Sequence, residues 1–166
     1  MQFILFNNGK PGLLRDDQVI DIGKVIENRT GQEAMTYIIT NLEQIRSDIY
    51  SFADKETSVP VTEVTIDPPL PKPSKILCMG GNFTEFGHRA PGPMWGFLKS
   101  SDAVIGPNQT VILPDVDANI FHHEAELVLV FSRYGKDVDE NDALDYVFGY
   151  TCGVDRKSTR LNSSHW

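Results

Sequence analysis

The stretch His122-His123-Glu124-Ala125-Glu126-Leu127-Val128-Leu129-Val130-Phe131 decides how this chain is read. Side chains of a strand alternate between faces, so Glu124 and Glu126 point one way, with His122 beside them if the strand starts early enough. The opposite parity holds Ala125, Leu127, Leu129 and Phe131, which reads as a core face. Past the glutamates the acidic face turns apolar, as Val128 and Val130. Two carboxylates there repel each other and resist desolvation. A hard divalent cation relieves both costs, because oxygen ligands suit Mg2+, Ca2+ or Mn2+. Spacing alone leaves the plainer reading open, an amphipathic strand end with two glutamates in water. His122 and His123, taken singly, read as ordinary capping or packing residues.

Outward from this strand the second half of the chain stays strand-like. Lys75–Met79, Gly96–Lys99, Thr110–Leu113 and Tyr146–Val154 carry the β pattern, with a short helix near Glu140–Asp145. Gly80, Gly81, Gly106, Pro107, Pro114, Gly135 and Gly149 punctuate them, which suits an antiparallel or mixed β architecture better than βαβ units. Further upstream, Gln2–Phe6 and Val19–Ile22 are expected strands around Asn7, Asn8, Gly9, Pro11 and Gly12. Thr30 and Glu33 have the spacing of a capping box. Behind them Met35, Ile38, Leu42, Ile45 and Ile49 form one apolar face of a helix expected to end near Tyr50. Val59–Ile66 alternates like a strand. Pro68, Pro69, Pro71 and Pro73 then make a stiff, donor-poor stretch that marks a domain boundary. The expectation is a mostly β protein with minor α: a small N-terminal α+β domain and linker over residues 1–72, then a β domain from residue 73.

Composition bounds the function. With 40% hydrophobic and 10% aromatic residues, the 166-residue chain can build a core. A formal charge of -8 and a pI near 4.9 argue against nucleic acid, whose phosphates would be repelled. A small acidic substrate is still admissible, because a bound metal inverts the local field. No apolar run approaches the roughly 20 residues that span a bilayer. The opening MQFILFNNGKPG reads as strand and turn rather than a signal peptide. Cys78 and Cys152 lie in apolar stretches and read as buried free thiols, which fits a reducing, cytoplasmic setting.

Four blocks now stand in order: KILCMGGNF at Lys75–Phe83, FLKSSDAVIGP at Phe97–Pro107, HHEAELVLVF at His122–Phe131 and DALDYVFGYTCGVD at Asp142–Asp155. Together they resemble the catalytic domain of the fumarylacetoacetate hydrolase family, most closely its acylpyruvate-hydrolase and oxaloacetate-decarboxylase branch. The resemblance covers about half of the chain. It implies a mixed β-sandwich or roll over residues 73–155, cut short here, and usually a homodimer. It also implies Mg2+, or Mn2+ or Ca2+ in its place, held by Glu124, Glu126 and Asp155. Lys99 matches a lysine that lies near the family's active site. In hydrolytic members the glycine-asparagine-aromatic motif runs on to a histidine, paired with a glutamate, that activates water. Here Phe86 stands at the histidine position and Arg89 at the glutamate position. His88 and Glu85 are the substitute bases within this loop.

Three carboxylates on a hard cation leave positions open for a 2-oxo acid, which chelates through its carboxylate and ketone oxygens. The implied activity is cleavage or rearrangement of small 2-oxo or β-diketo acids through a metal-stabilised enolate, by C–C hydrolysis, decarboxylation or isomerisation. Phe86 and Arg89 motivate the alternative, an inactive paralogue that keeps the fold as a binding or assembly module.

From Asp155 to His165 the chain also resembles the translation of a common sequencing adapter, Asp-Arg-Lys-Ser-Thr-Arg-Leu-Asn-Ser-Ser-His. On that reading residues 156–166 are a non-native tail, Asp155 is either native or adapter-encoded, and Ser158, Thr159, Ser163, Ser164 and His165 carry no function. Residues 1–166 alone are then expected to be poorly stable and inactive.

Overall fold

The computed structural model describes residues 1–84, 87–88, 90–113, 115 and 120–159. The protein is mostly β with minor α, and it divides into two compact units, Met1–Gln109 and Thr110 onward.

In the first unit, β1 (Gln2–Phe6), β2 (Lys10–Arg15) and β3 (Gln18–Asp21) form a meander. Tight turns join them because Asn7, Asn8, Asp16 and Asp17 accept positive φ, which asparagine and aspartate tolerate. Gly9 is needed where it stands: at φ +85° a Cβ would lie 2.9 Å from the backbone nitrogen of Gly31. Helix α1 (Gly31–Ala53) packs on β2 and on the 3-10 turn Gly23–Ile26. Ala34, Met35, Ile38, Ile49 and Ala53 are its buried residues, which is the apolar face read from the three- and four-residue steps. Leu42 and Ile45 on that stripe are only half-buried. With Leu5, Leu13, Ile20, Ile22 and Ile26 this face makes the core, while Ile4, Phe6 and Val19 cluster with Leu14, Val61, Val64 and Ile66 on the other side of the sheet. Each fully buried Val, Leu, Ile or Met among them contributes about 1.5–3 kcal/mol by leaving water.

Several local expectations are corrected. Thr30 occupies the N-cap position with extended backbone, but its side chain makes no cap hydrogen bond. Glu33 instead faces Arg29, 3.4 Å away, so the reciprocal half of a capping box does not form. The helix runs to Ala53 rather than Tyr50. Val59–Ile66 is not one strand. Only β4 (Val59–Pro60) and β5 (Ile66–Asp67) pair, on either side of a 3-10 turn at Val61–Glu63. Pro60 has no N–H to donate, so the ladder breaks there. The resulting sheet is antiparallel throughout, in the order β4-β3-β2-β1-β5.

Strands β6 (Ile76–Gly80) and β7 (Trp95–Lys99) form an antiparallel pair in this same unit. Cys78 is half-buried there, not buried as expected. Thr110–Leu113 forms no strand, and Ile112 is 86% exposed. Apolar, β-branched composition does not make a strand without a partner to pair with.

The second unit is a long antiparallel hairpin of β8 (Ile120–Phe131) and β9 (Val147–Thr159). A 3-10 turn at Glu140–Tyr146 precedes β9, where a short helix was expected. Asp139 caps it, accepting hydrogen bonds from the backbone and side-chain nitrogens of Asn141 at 2.9 and 2.8 Å. These bonds hold its carboxyl below the ordinary range. Among the described residues no helix is long and apolar enough to cross a membrane.

Candidate metal centre

Glu124 and Glu126 sit two apart on β8, so both project from one face of the hairpin. The ladder then selects what faces them. Glu124 lies opposite Asp155, Glu126 opposite Gly153, and His122 opposite Lys157. Residues directly opposed across an antiparallel pair share a face. The register therefore collects three carboxyl groups and one ammonium on one side of the sheet.

Gly153 clears the space between them. A Cβ at that position would lie 2.8 Å from Cγ2 of Val128 and 4.0 Å from Cβ of Glu126. Carboxylate oxygens of Glu124, Glu126 and Asp155 all fall within 4.8 Å of one another. Oxygens that share one Mg2+ or Ca2+ sit at about 2.0–2.6 Å from it, and so at most about 5 Å apart. The donor set fits a hard divalent cation in both chemistry and span. Asp155 is more enclosed than Glu124, its side chain 8% exposed against 38%.

A cationic stand-in is already present. The Lys157 ammonium hydrogen-bonds Oε2 of Glu124 and lies 3.7 Å from Oδ2 of Asp155. Its pKa is raised, first by the hydrogen bond to Glu124; burial opposes that, and the charges of Glu124, Asp155 and Glu126 each raise it further. Like charges opposite one another on a sheet destabilise it. The ammonium offsets that repulsion only in part, because three carboxylates outnumber it.

The opposite face departs from expectation. Leu127, Leu129 and Phe131 are 58%, 41% and 60% exposed, and Val154 and Tyr150 on β9 are 73% and 61% exposed. Ala125 and Cys152 on this side are also exposed, so neither the expected core face nor the expected buried thiol is found. Parity was read correctly, but β8 and β9 form a two-stranded sheet, and the residues of this side are exposed.

Glu124, Glu126 and Asp155 are thus brought together, and His122 is exposed at the edge of the cluster. Lys99 and His88 belong to the first unit and are described there alone. The Lys99 ammonium lies 5.8 Å from the ring centre of Phe97, and His88 is an exposed turn residue. Glu85, Phe86 and Arg89 lie outside the described residues. Lys157 is the site residue that sequence reasoning missed. It follows Asp155 by two on β9, in the adapter-like stretch whose polar sequence without period gives no strand signal.

Residues 75–162 match the family described as fumarylacetoacetate (FAA) hydrolase C-terminal. A Dictyostelium discoideum fumarylacetoacetate hydrolase domain-containing protein 2 homolog is 37% identical over 116 residues, 65% of this chain and 37% of that protein. The mitochondrial oxaloacetate tautomerase Fahd2a of Rattus norvegicus is 31% identical over 115 residues, 65% of this chain and 36% of that protein. The crystal structure of maleylpyruvate hydrolase from Sphingobium sp. SYK-6, in complex with manganese (II) ion and pyruvate, superposes with a TM-score of 0.85. It is 28% identical, and the match covers 95% of this chain and 59% of that one. The chain spans little more than a third of the length of these two curated relatives. Ordered sequence blocks, the β fold and the matched region, which takes in both strands of the carboxylate hairpin, agree: this chain belongs to the fumarylacetoacetate hydrolase family.

Proposed function

We propose that the longer protein to which this stretch corresponds is a divalent-metal-dependent enzyme on small 2-oxo or β-diketo acids. The observation that carries the reading is the convergence of Glu124, Glu126 and Asp155 within 4.8 Å on one face of the β8–β9 hairpin. Similarity to a tautomerase of oxaloacetate and to a hydrolase crystallised with manganese and pyruvate supports the substrate class. A cation held by the triad, Mg2+ or Mn2+, would supply Lewis acidity toward the negative charge that develops beside a ketone when a C–C bond breaks or a proton leaves.

The chain's own residues set the rest. Glu124, Glu126 and Asp155 would hold the cation, which would supply a binding point for a chelating oxo acid. Lys99 is proposed to stabilise the substrate's anionic groups, and His88 or Glu85 to move the proton. Cys78 and Cys152, which form no disulfide among the described residues, support a reducing, cytoplasmic setting, and pairing into a homodimer completes the proposal. The 166-residue stretch alone is proposed to be inactive.

Turnover of oxaloacetate or an acylpyruvate by a protein of the relatives' length is the test. Activity that is lost on chelation and restored by Mg2+ or Mn2+ is expected. Turnover indifferent to chelation would remove the metal from the reading. Phe86 and Arg89, in place of a histidine and a glutamate, favour the second reading, a non-catalytic family member. No turnover of either substrate with the metal bound would establish that alternative.

A further inference from the structure

Across the β6–β7 pair, Gly80 faces Trp95, Cys78 faces Phe97 and Ile76 faces Lys99. Alternation puts Trp95, Phe97 and Lys99 on one side of β7. The residue opposite Trp95 has no side chain, and a Cβ at Gly80 would overlap the six-membered ring of the indole. The indole therefore lies directly against the Gly80 backbone. Its ring and that of Phe97 are stacked, with centroids 5.4 Å apart and 27° between the planes. Beyond Phe97, the Lys99 ammonium lies 5.8 Å from the ring centre. One side of a single strand thus carries two nearly parallel aromatic planes that end in a positive charge. Trp95 is 55% exposed, so the outer plane is accessible.

We infer that Trp95 and Phe97 form a shelf that selects anions with a flat, conjugated chain, the carboxylate directed to Lys99 and the chain laid along the rings. The inference rests on the proposed role of Lys99 toward the substrate's anionic groups and narrows the 2-oxo acids to those with such a chain. Aromatic planes gain most from another flat π system in offset stacking. A carboxylate makes its strongest hydrogen bonds to a charged donor such as the ammonium. A saturated chain covers the same rings only by giving up its rotamer freedom, which a conjugated chain does not have to lose.

The test uses a protein of the relatives' length in excess chelator, so that carboxylate binding to a cation contributes nothing. Saturation-transfer NMR titrations compare sorbate with hexanoate, two six-carbon carboxylates that differ in conjugation. The unsubstituted protein is expected to bind sorbate about fivefold more tightly, the size of one aromatic pair. Trp95→Leu should bring the two affinities within about twofold, and Trp95→Tyr should keep the preference. Lys99→Met should weaken both probes and leave their ratio. Equal affinities in the unsubstituted protein, or a preference that survives Trp95→Leu, overturn the shelf. If Trp95→Leu does not fold, as judged by circular dichroism, a Trp95 indole N–H resonance that does not move with sorbate overturns it instead. Binding indifferent to Lys99→Met, beside an intact preference for sorbate, removes the anionic role of Lys99 and leaves the rings as the selecting element.

Discussion

Residues 4–53 hold every buried hydrophobic side chain among the described residues, whereas the β8–β9 hairpin that carries the carboxylates buries none. The first unit is held by a filled core between a helix and a meander. The second is held by a ladder and by cross-strand pairs. A two-stranded ribbon is at best marginal in water without something to pack against. The difference teaches that site geometry and packing stability are separable here. Register and parity alone bring Glu124, Glu126 and Asp155 together, with no core beneath them.

Truncating the core should break the first unit most severely. Ile38 is fully buried, so Ile38→Ala should cost about 2–5 kcal/mol in chemical denaturation followed by helix circular dichroism. A loss below about 0.5 kcal/mol, the size of an ordinary surface substitution, would erase the contrast between the two units. The same change of size on the hairpin should do little. Leu127→Ala, at a position 58% exposed, is expected to shift stability by no more than about 0.5 kcal/mol. A core-sized loss there would mean that this face is covered in solution and would sharpen the comparison into a search for what covers it. The smallest effect is expected at Asp139. Its carboxyl is held below the ordinary range by the Asn141 hydrogen bonds, so its stabilisation is present above the ordinary carboxylate pKa. That stabilisation is lost as pH falls through the lowered value. Amide exchange at Asn141 should quicken in that acid range, and Asp139→Ala should show the fast rate already at neutral pH.

Much of this was legible in the sequence, because it rested on period. Steps of three and four residues marked the helix face of Met35, Ile38 and Ile49, and alternation placed Glu124 and Glu126 together on one side. What failed depended on partners. A capping box needs Glu33 to be free of Arg29, a strand through Pro60 needs a donor, and a core face at Leu127 and Leu129 needs something to lie on it. Arg29 and Pro60 stand within the segments whose pattern they break, whereas what covers Leu127 and Leu129 is not a property of one segment. Lys157 was missed for a different reason. A polar stretch without period carries no signal for a strand, yet pairing with His122 and its neighbours extends β9 through Thr159. Asp155 could be matched to the family's ligand from spacing, but its apposition to Glu124 is a fact of register that only the ladder supplies.

The central claim is that Glu124, Glu126 and Asp155 make one cation site. Mn2+ affinity of a protein of the relatives' length, compared with its Glu124→Ala and Glu126→Ala variants, tests it most directly. Loss of a ligand should weaken binding by at least roughly 100-fold, the upper end of what losing an outer-shell partner costs. Wild-type affinity no better than that of either variant would contradict the account.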